Sequence, residues 1–281
     1  MAELKPYRLA GVIGWPVSHS RSPMLHSYWI DRYGLAGAYV LLPVAPEHLA
    51  VALSGLPALG FAGCNVTIPH KVTAMRLVHR VDPLAQRIGA INTIVVEKDG
   101  TLSGYNNDSF GYLSSLRDTH PEWRPDAGPV VVLGAGGAAR AVVASLADAG
   151  AREIRLLNRT GQRAAAIASA VGSVVRTLPW EQRDDALADA ALLVNTTSQG
   201  MVGQPPLDLS LRALPKRAIV SDVVYTPLET PLLAAARNRG NPTVDGLGML
   251  LHQARPAFEA WFGIMPEVTP ELRGMLEASI S

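Results

Sequence analysis

The sequence predicts an α/β protein made of two α/β regions, and three observations carry that expectation. Short apolar runs alternate with amphipathic segments along most of the chain, the pattern of strands joined by crossover helices and so of mainly parallel sheets. A polar, proline-containing stretch, "RDTHPEWRPDAG" from Arg117 to Gly128, interrupts the alternation and reads as a connector. Directly after it, "PVVVLGAGGAARAVVASLADAG" passes from a buried strand through a glycine turn into a helix ending near Gly150.

The elements follow in order. From Arg8, "RLAGVIG" is strand-like; a turn at Gly14 to Pro16 leads to a helix over about Ser22 to Gly34. "GAYVLLPV" is a second apolar strand, Glu47 to Leu56 a helix, and "FAGCNVTIP" a third strand. "INTIVVEKDGTLSGYNND" reads as two strands joined at Asp99-Gly100, an antiparallel edge on an otherwise parallel sheet. A helix starts over Asp108 to Leu116. Beyond the glycine turn, "REIRLLNRT" is a strand and "GQRAAAIASAVG" its helix, while "ALLVNTTSQGM" and "RAIVSDVVYTP" are strand-to-loop passages. "GLGMLLHQARPAFEAWFG" has the apolar spacing of a long helix, with Leu250, Leu251, Ala254 and Phe258 on its core face.

Composition narrows the function classes. At 281 residues and 29.9 kDa, with 48% hydrophobic and 17% charged residues, the chain can bury one large core or two moderate ones. A net charge of +1 supplies no broad basic field for nucleic acid or an acidic membrane. The single cysteine, Cys64, excludes an internal disulfide and a CxxC metal site, and its apolar surroundings predict an inert buried thiol. No HExxH or clustered histidine spacing is present, so no metal is expected. The start lacks the apolar stretch of a leader and no 18-residue apolar run follows, which makes the cytoplasm the expected location.

The glycine turn is the strongest local signal. Gly134, Gly136 and Gly137 follow an apolar strand and precede an alanine-rich helix, with Ala139 at the third small position of a GxGGxA pattern. Missing β-carbons let the backbone approach a pyrophosphate, and the helix start offers N–H groups and a positive dipole end. A ligand-free glycine-rich turn would show the same pattern. An NAD site places an acid at the end of the next strand; here stand Asn158, Arg159 and Thr160, followed by Arg163. Two guanidinium groups suit a ribose 2′-phosphate, which an acid would repel. Thr160 can also cap the following helix. As solvated helix-start residues the two arginines would look the same; with the acid missing, the pattern favours NADP.

Polar residues in the first half sit at the ends of successive elements, where α/β pockets form. Ser18 and Ser20 alternate on a loop, as do Asn65 and Thr67 on a strand. Lys71, one of four lysines in the chain, follows Pro69 and His70. Asn92 and Asp108 add an amide and a carboxylate. Local caps would use the same serines and the same aspartate. A lysine with a carboxylate partner suits reversible carbonyl reduction, in which a cofactor carries hydride and the protein moves the proton. A Ser-Tyr-x-x-x-Lys arrangement is missing.

Taken together, "SHSRSPMLH", "NVTIPHK", "GAINT", "GYNND", "GAGGAAR", "NRTGQR", "NTTSQGM", "DVVYTPLETPLL" and "GLGMLLHQA" resemble the shikimate dehydrogenase family, in family order over almost the whole chain. The resemblance implies two α/β domains: a discontinuous catalytic domain, residues 1–108 and 246–281, and a Rossmann-like NADP-binding domain, residues 109–245, with substrate in the cleft between them. It implies Lys71 as general acid/base with Asp108 as partner, and Ser18, Ser20, Thr67, Asn92 and Gln253 holding the substrate's carboxylate and hydroxyls, with Tyr225 lining the site. Gly134, Ala135, Gly136, Gly137 and Ala138 would cradle the pyrophosphate, Asn158, Arg159, Thr160 and Arg163 the ribose phosphate, while Val223, Gly246 and Met249 would adjoin the nicotinamide. The implied reaction is NADPH-dependent reduction of 3-dehydroshikimate to shikimate, on the way to chorismate and the aromatic amino acids, by a monomer or homodimer. The family's Asn-Thr-Asp-Gly is here Asn106-Asn107-Asp108-Ser109, which leaves quinate or an amino-substituted relative as alternatives. A non-catalytic dinucleotide-binding regulatory protein is the alternative of another class.

Overall fold

A short apolar run, buried from Ala10 onward, makes Arg8–Gly14 the strand β1, around which the first sheet assembles. The structure is a computed structural model and describes residues 6–280; residues 1–5, on which the expectation about a leader partly rests, and residue 281 lie outside the described residues. After β1 come α1 (Ser22–Arg32), β2 (Gly37–Pro43), α2 (Leu49–Gly55), β3 (Phe61–Val66), α3 (Lys71–Met75), β4 (Arg80–Val81), α4 (Pro83–Ile88), β5 (Thr93–Val96) and β6 (Leu102–Tyr105). Their sheet has the order β2-β1-β3-β5-β6-β4. β1 pairs in parallel with β2 and β3, whereas β3/β5 and β5/β6 are antiparallel. The antiparallel pair therefore lies inside the sheet instead of at its edge, because the two-residue β4 adds to β6 in parallel. The turn between β5 and β6 is held by Asp99, whose carboxylate accepts from the Thr101 N–H and hydroxyl. One core of this region packs Ile13, Leu49, Leu53, Val66, Ile91 and Ile94 around the buried Cys64, whose thiol burial pushes well above its ordinary range.

The second sheet is built from β7 (Val130–Leu133), β8 (Ile154–Leu157), β9 (Val175–Leu178), β10 (Leu192–Asn195), β11 (Ile219–Asp222) and β12 (Thr243–Val244). Its order is β12-β11-β10-β7-β8-β9, all parallel. The helices here are α5 (Asp108–Thr119), α6 (Gly137–Ala149), α7 (Gly161–Val171) and α8 (Pro231–Arg239). Near-continuous valine and leucine strands, buried along their whole length in β7 and β10, fit a sheet covered on both faces. The strand order reverses between β7 and β10, the point at which doubly wound folds bind ligands. α5 runs three residues into the expected connector, to Thr119.

Two compact units result: the first runs to Asn107 and takes up Gln253–Leu276, and the second holds Asp108–His252 and the chain from Glu277. The second crossing falls inside helix α9 (Gly246–Phe262), not at its start. The reason is packing: Met249 joins the second unit's core, while Phe258 and Trp261 are buried in the first unit, where the Trp261 indole N–H donates to the Ile94 carbonyl at 3.0 Å. Gly63 (φ +156°) allows that approach, since a Cβ there would lie 2.2 Å from the indole nitrogen. The last helix is α10 (Pro270–Ile280). Among the described residues no helix is long and apolar enough to cross a membrane.

Candidate active site

In the first unit, the parallel strands β1 and β3 run side by side into loops that carry Ser18, Ser20 and Thr67. The Thr67 N–H donates to the Ile13 carbonyl at 2.9 Å and the Trp15 N–H to the Ile68 carbonyl at 3.1 Å, so the two loops leave the sheet together. Ser18 is exposed; Ser20 is half-buried, and its hydroxyl accepts from the Ser22 N–H at the start of α1. Lys71 is the first residue of α3 and half-buried. Its carbonyl accepts from the Ile91 N–H at 3.1 Å, which ties α3 to the segment that presents Asn92. The Asn92 side-chain amide donates to Gln253 Oε1 at 3.2 Å, so two residues distant in sequence are brought together.

Two polar residues of the same stretches serve packing. Asn65 turns into the interior, 6% exposed, and bonds Tyr39, Asn92 and Thr93. His26, at the end of "SHSRSPMLH", stacks on the Tyr39 ring at 4.0 Å between centroids, and burial lowers its pKa to about 3, so it stays neutral.

In the second unit the glycine loop leaves β7 at the strand-order reversal. Gly134 has φ +108° and a Cβ on it would meet Thr196 Oγ1 at 2.6 Å, so both conformation and space require glycine. At Gly136 the position is opposite in character: a Cβ would meet no heavy atom within 4 Å. Gly136 is exposed and caps the 13-residue α6 without a side-chain bond to its first N–H groups. Open space in front of an uncapped helix start fits a dinucleotide pyrophosphate. Ala135 is buried, while Gly137 and Ala138 are half-buried in the first turn.

At the end of β8, the Asn158 amide donates to the Thr160 carbonyl at 2.9 Å, fixing the turn into α7. Thr160 occupies the N-cap position, but its side chain makes no capping bond, in contrast to the sequence expectation, because the Asn158 amide organises the turn instead. Arg159 and Arg163 are exposed and pair with no carboxylate among the described residues. Asn158 and Arg159 line a cavity of about 300 Å³ with Thr177, Pro179, Trp180 and Glu181. The Arg159 guanidinium beside this cavity, with Arg163 exposed in the first turn of α7, fits the phosphorylated ribose end of NADP.

Asp108, 6% exposed, opens α5 in the second unit, immediately after Asn107 of the first. Val223 and Tyr225 are half-buried just past β11, with the Val223 N–H bonded to the Asn195 carbonyl at 3.0 Å. Gly246 is buried at the start of α9, and Met249 is half-buried one turn later, against the core.

Family models for a shikimate dehydrogenase substrate binding domain, a shikimate/quinate 5-dehydrogenase and a shikimate 5′-dehydrogenase C-terminal domain match residues 12–94, 124–202 and 246–270. A shikimate dehydrogenase (NADP(+)) of Paramagnetospirillum magneticum is 59% identical over 269 residues, 96% of this chain and 98% of that protein. The chain belongs to the shikimate dehydrogenase family. Solved family structures agree in fold. Shikimate 5-dehydrogenase of Thermus thermophilus, in complex with NADP(H) and shikimate, superposes with a TM-score of 0.86 at 35% identity, covering 98% of this chain and 100% of that one. Quinate dehydrogenase of Corynebacterium glutamicum, in complex with NAD, gives 0.89 at 32%, covering 97% and 100%.

Within the shikimate dehydrogenase pattern, the departures at Asn107 and Ser109 are both taken up by structure. The Ser109 hydroxyl is buried and donates to the Ala141 carbonyl of α6 at 3.0 Å. The Asn107 amide donates to Thr93 Oγ1 at 3.0 Å. Sequence reasoning missed a second buried network, around Asp222. Its carboxylate accepts from the Asn195 amide, the Val224 N–H and the Thr230 hydroxyl, all within 3.0 Å, below the loops that carry Thr197 and Val223. Burial pushes this carboxyl up to about 6 against those hydrogen bonds. "IVSD" reads as the end of an apolar strand, and only the tight spacing of Asn195 and Thr197 in "NTT" hinted at a polar cluster.

Proposed function

We infer that the chain catalyses the reversible NADPH-dependent reduction of 3-dehydroshikimate to shikimate, as an oxidoreductase acting on a CH–OH group. The observation that carries the cofactor choice is the pair of unpaired guanidinium groups, Arg159 and Arg163, past the end of β8, where an NAD site would place an acid. The substrate follows from the relative named shikimate dehydrogenase (NADP(+)) at 59% identity.

In this reading Gly134, Ala135, Gly136, Gly137 and Ala138 hold the pyrophosphate through backbone N–H groups, and Asn158, Arg159, Thr160 and Arg163 hold the 2′-phosphate. Val223, Gly246 and Met249 adjoin the nicotinamide. When bound, NADPH supplies the hydride. Lys71 gives the proton to the oxygen of the reduced carbonyl, or takes it in the reverse direction, and Asp108 orients the ammonium. Ser18, Ser20, Thr67, Asn92 and Gln253 bind the carboxylate and hydroxyls, with Tyr225 along the substrate. The expected cytoplasmic setting and the monomer or homodimer state belong to the same reading.

Steady-state assays with shikimate and quinate, each against NADP and NAD, test it. Shikimate with NADP is expected to give the highest kcat/KM. A higher value for quinate with NAD would replace the substrate and cofactor, and a folded, NADP-binding protein inactive with every pair would make it a binding protein.

A further inference from the structure

We propose that Tyr39, Asn65, Thr93 and Asn107 form a buried relay that locks the Asn92 amide with its oxygen inward and its nitrogen towards Gln253. This rests on the reading of Asn92 and Gln253 as substrate ligands.

Fixed backbone groups at both ends set the polarity of the relay. The Asn107 N–H can only donate, and it meets the Asn92 side chain at 2.9 Å, so that atom is Oδ1 and the other is Nδ2. At the opposite end the Asn92 carbonyl can only accept, and it meets the Asn65 side chain at 3.1 Å, so that atom is Nδ2. Asn65 Oδ1 then takes the Tyr39 hydroxyl proton at 2.7 Å. Burial raises the Tyr39 phenol well above its ordinary range, so the proton stays in place.

Thr93 joins the two ends. Its oxygen accepts from Asn65 Nδ2 at 3.2 Å and Asn107 Nδ2 at 3.0 Å, which fills both lone pairs. Its proton goes to Asn92 Oδ1 at 3.0 Å. Asn92 Oδ1 is thereby filled twice, by a hydroxyl and a backbone N–H, and Asn92 Nδ2 donates to Gln253 Oε1. With Gln253 Oε1 accepting from Asn92 Nδ2, the orientation of the Gln253 amide is set by the same relay. The relay thus holds both amides, Asn92 and Gln253, in one orientation before a hydroxy acid binds. Asn107, at a position where the family's motif carries a hydroxyl, acts here by filling Thr93.

The test is a double-mutant cycle on the full chain. Thr93→Val removes the hydroxyl with little change of shape and is expected to raise the KM for shikimate about tenfold, equivalent to about 1.4 kcal/mol, while the KM for NADP stays unchanged. Thr93→Ser restores the wild-type value. Tyr39→Phe, which leaves the strand contacts in place, raises the shikimate KM in the same selective way and serves as the second probe if the valine variant does not fold. In the Asn92→Ala background, Thr93→Val or Tyr39→Phe adds no further loss, because the relay acts through Asn92. Full additivity there, or equal losses for shikimate and NADP, would overturn the relay. An Asn92→Ala enzyme with an unchanged shikimate KM would overturn the assignment of Asn92 as a ligand.

Discussion

Arg159 lies exposed at the entry to α7 and forms no salt bridge with a carboxylate among the described residues. Arg159→Ala is expected to weaken NADP by roughly 1.5–3 kcal/mol, about one to two decades in Kd, since a charge-assisted contact is lost. NAD, which has no phosphate at that position, should change little. Titration with both cofactors checks this, and equal losses would remove the phosphate from Arg159. Lys71 is a different kind of residue, half-buried and fixed through its own carbonyl to Ile91. Lys71→Ala should leave NADP binding intact and lower the single-turnover hydride-transfer rate by about two to four decades, the span of a positioned acid/base. A rise in KM with an unchanged rate would make Lys71 an anchor for substrate only.

At the scale of elements, the turn from β7 into α6 separates two uses of glycine. Gly136→Ala places its methyl group in open space at φ −87°, so thermal stability should hold or rise, by up to about 1 kcal/mol from the stiffer unfolded chain. NADP affinity should nevertheless fall by about tenfold or more, because the methyl group enters the space before the helix start. Gly134→Ala forces φ +108° on a side chain that meets Thr196, and should cost about 1–3 kcal/mol in unfolding free energy. Thermal melts with cofactor titrations distinguish them; a Gly136→Ala protein that binds NADP normally would detach this loop from the pyrophosphate. The sequence made this turn legible because strand, glycines and helix are contiguous. The parallel strands and the β5–β6 turn at Asp99-Gly100 were legible for the same reason. The edge strand β4 was not, since two residues carry no periodicity. Nor was the relay: Tyr39 and Asn65 are 26 positions apart, and a tyrosine in an apolar strand reads as core until its hydroxyl's partner is known. Asn65 alternates with Thr67, so period two placed it on the pocket rim, but its face of β3 packs inward.

For the molecule as a whole, Asp222 sets a pH dependence of stability. It is 1% exposed, and its folded-state pKa of about 6 lies above the ordinary 3.8. The folded state therefore binds the proton more tightly than the unfolded state, so stability is fully present below about pH 4 and declines as pH rises to about 6. The loss is about 3 kcal/mol by the conversion of pKa difference to free energy. Asp222→Asn removes this decline, so its melting temperature relative to wild type should climb between pH 4.5 and pH 7; a difference that stays flat would deny Asp222 the raised pKa. Helix α9 has another consequence, for the order of events at the ribosome. The first unit cannot close its core when residue 107 emerges, because Phe258 and Trp261, each worth about 3–5 kcal/mol as buried aromatics, are still untranslated. The second unit is nearly continuous and has its sheet complete by Val244. Nascent chains stalled with Val244 outside the exit tunnel and α9 still inside it should thus be protease-resistant in the middle of the chain and still sensitive at its beginning, the reverse of the usual N-terminal-first sequence.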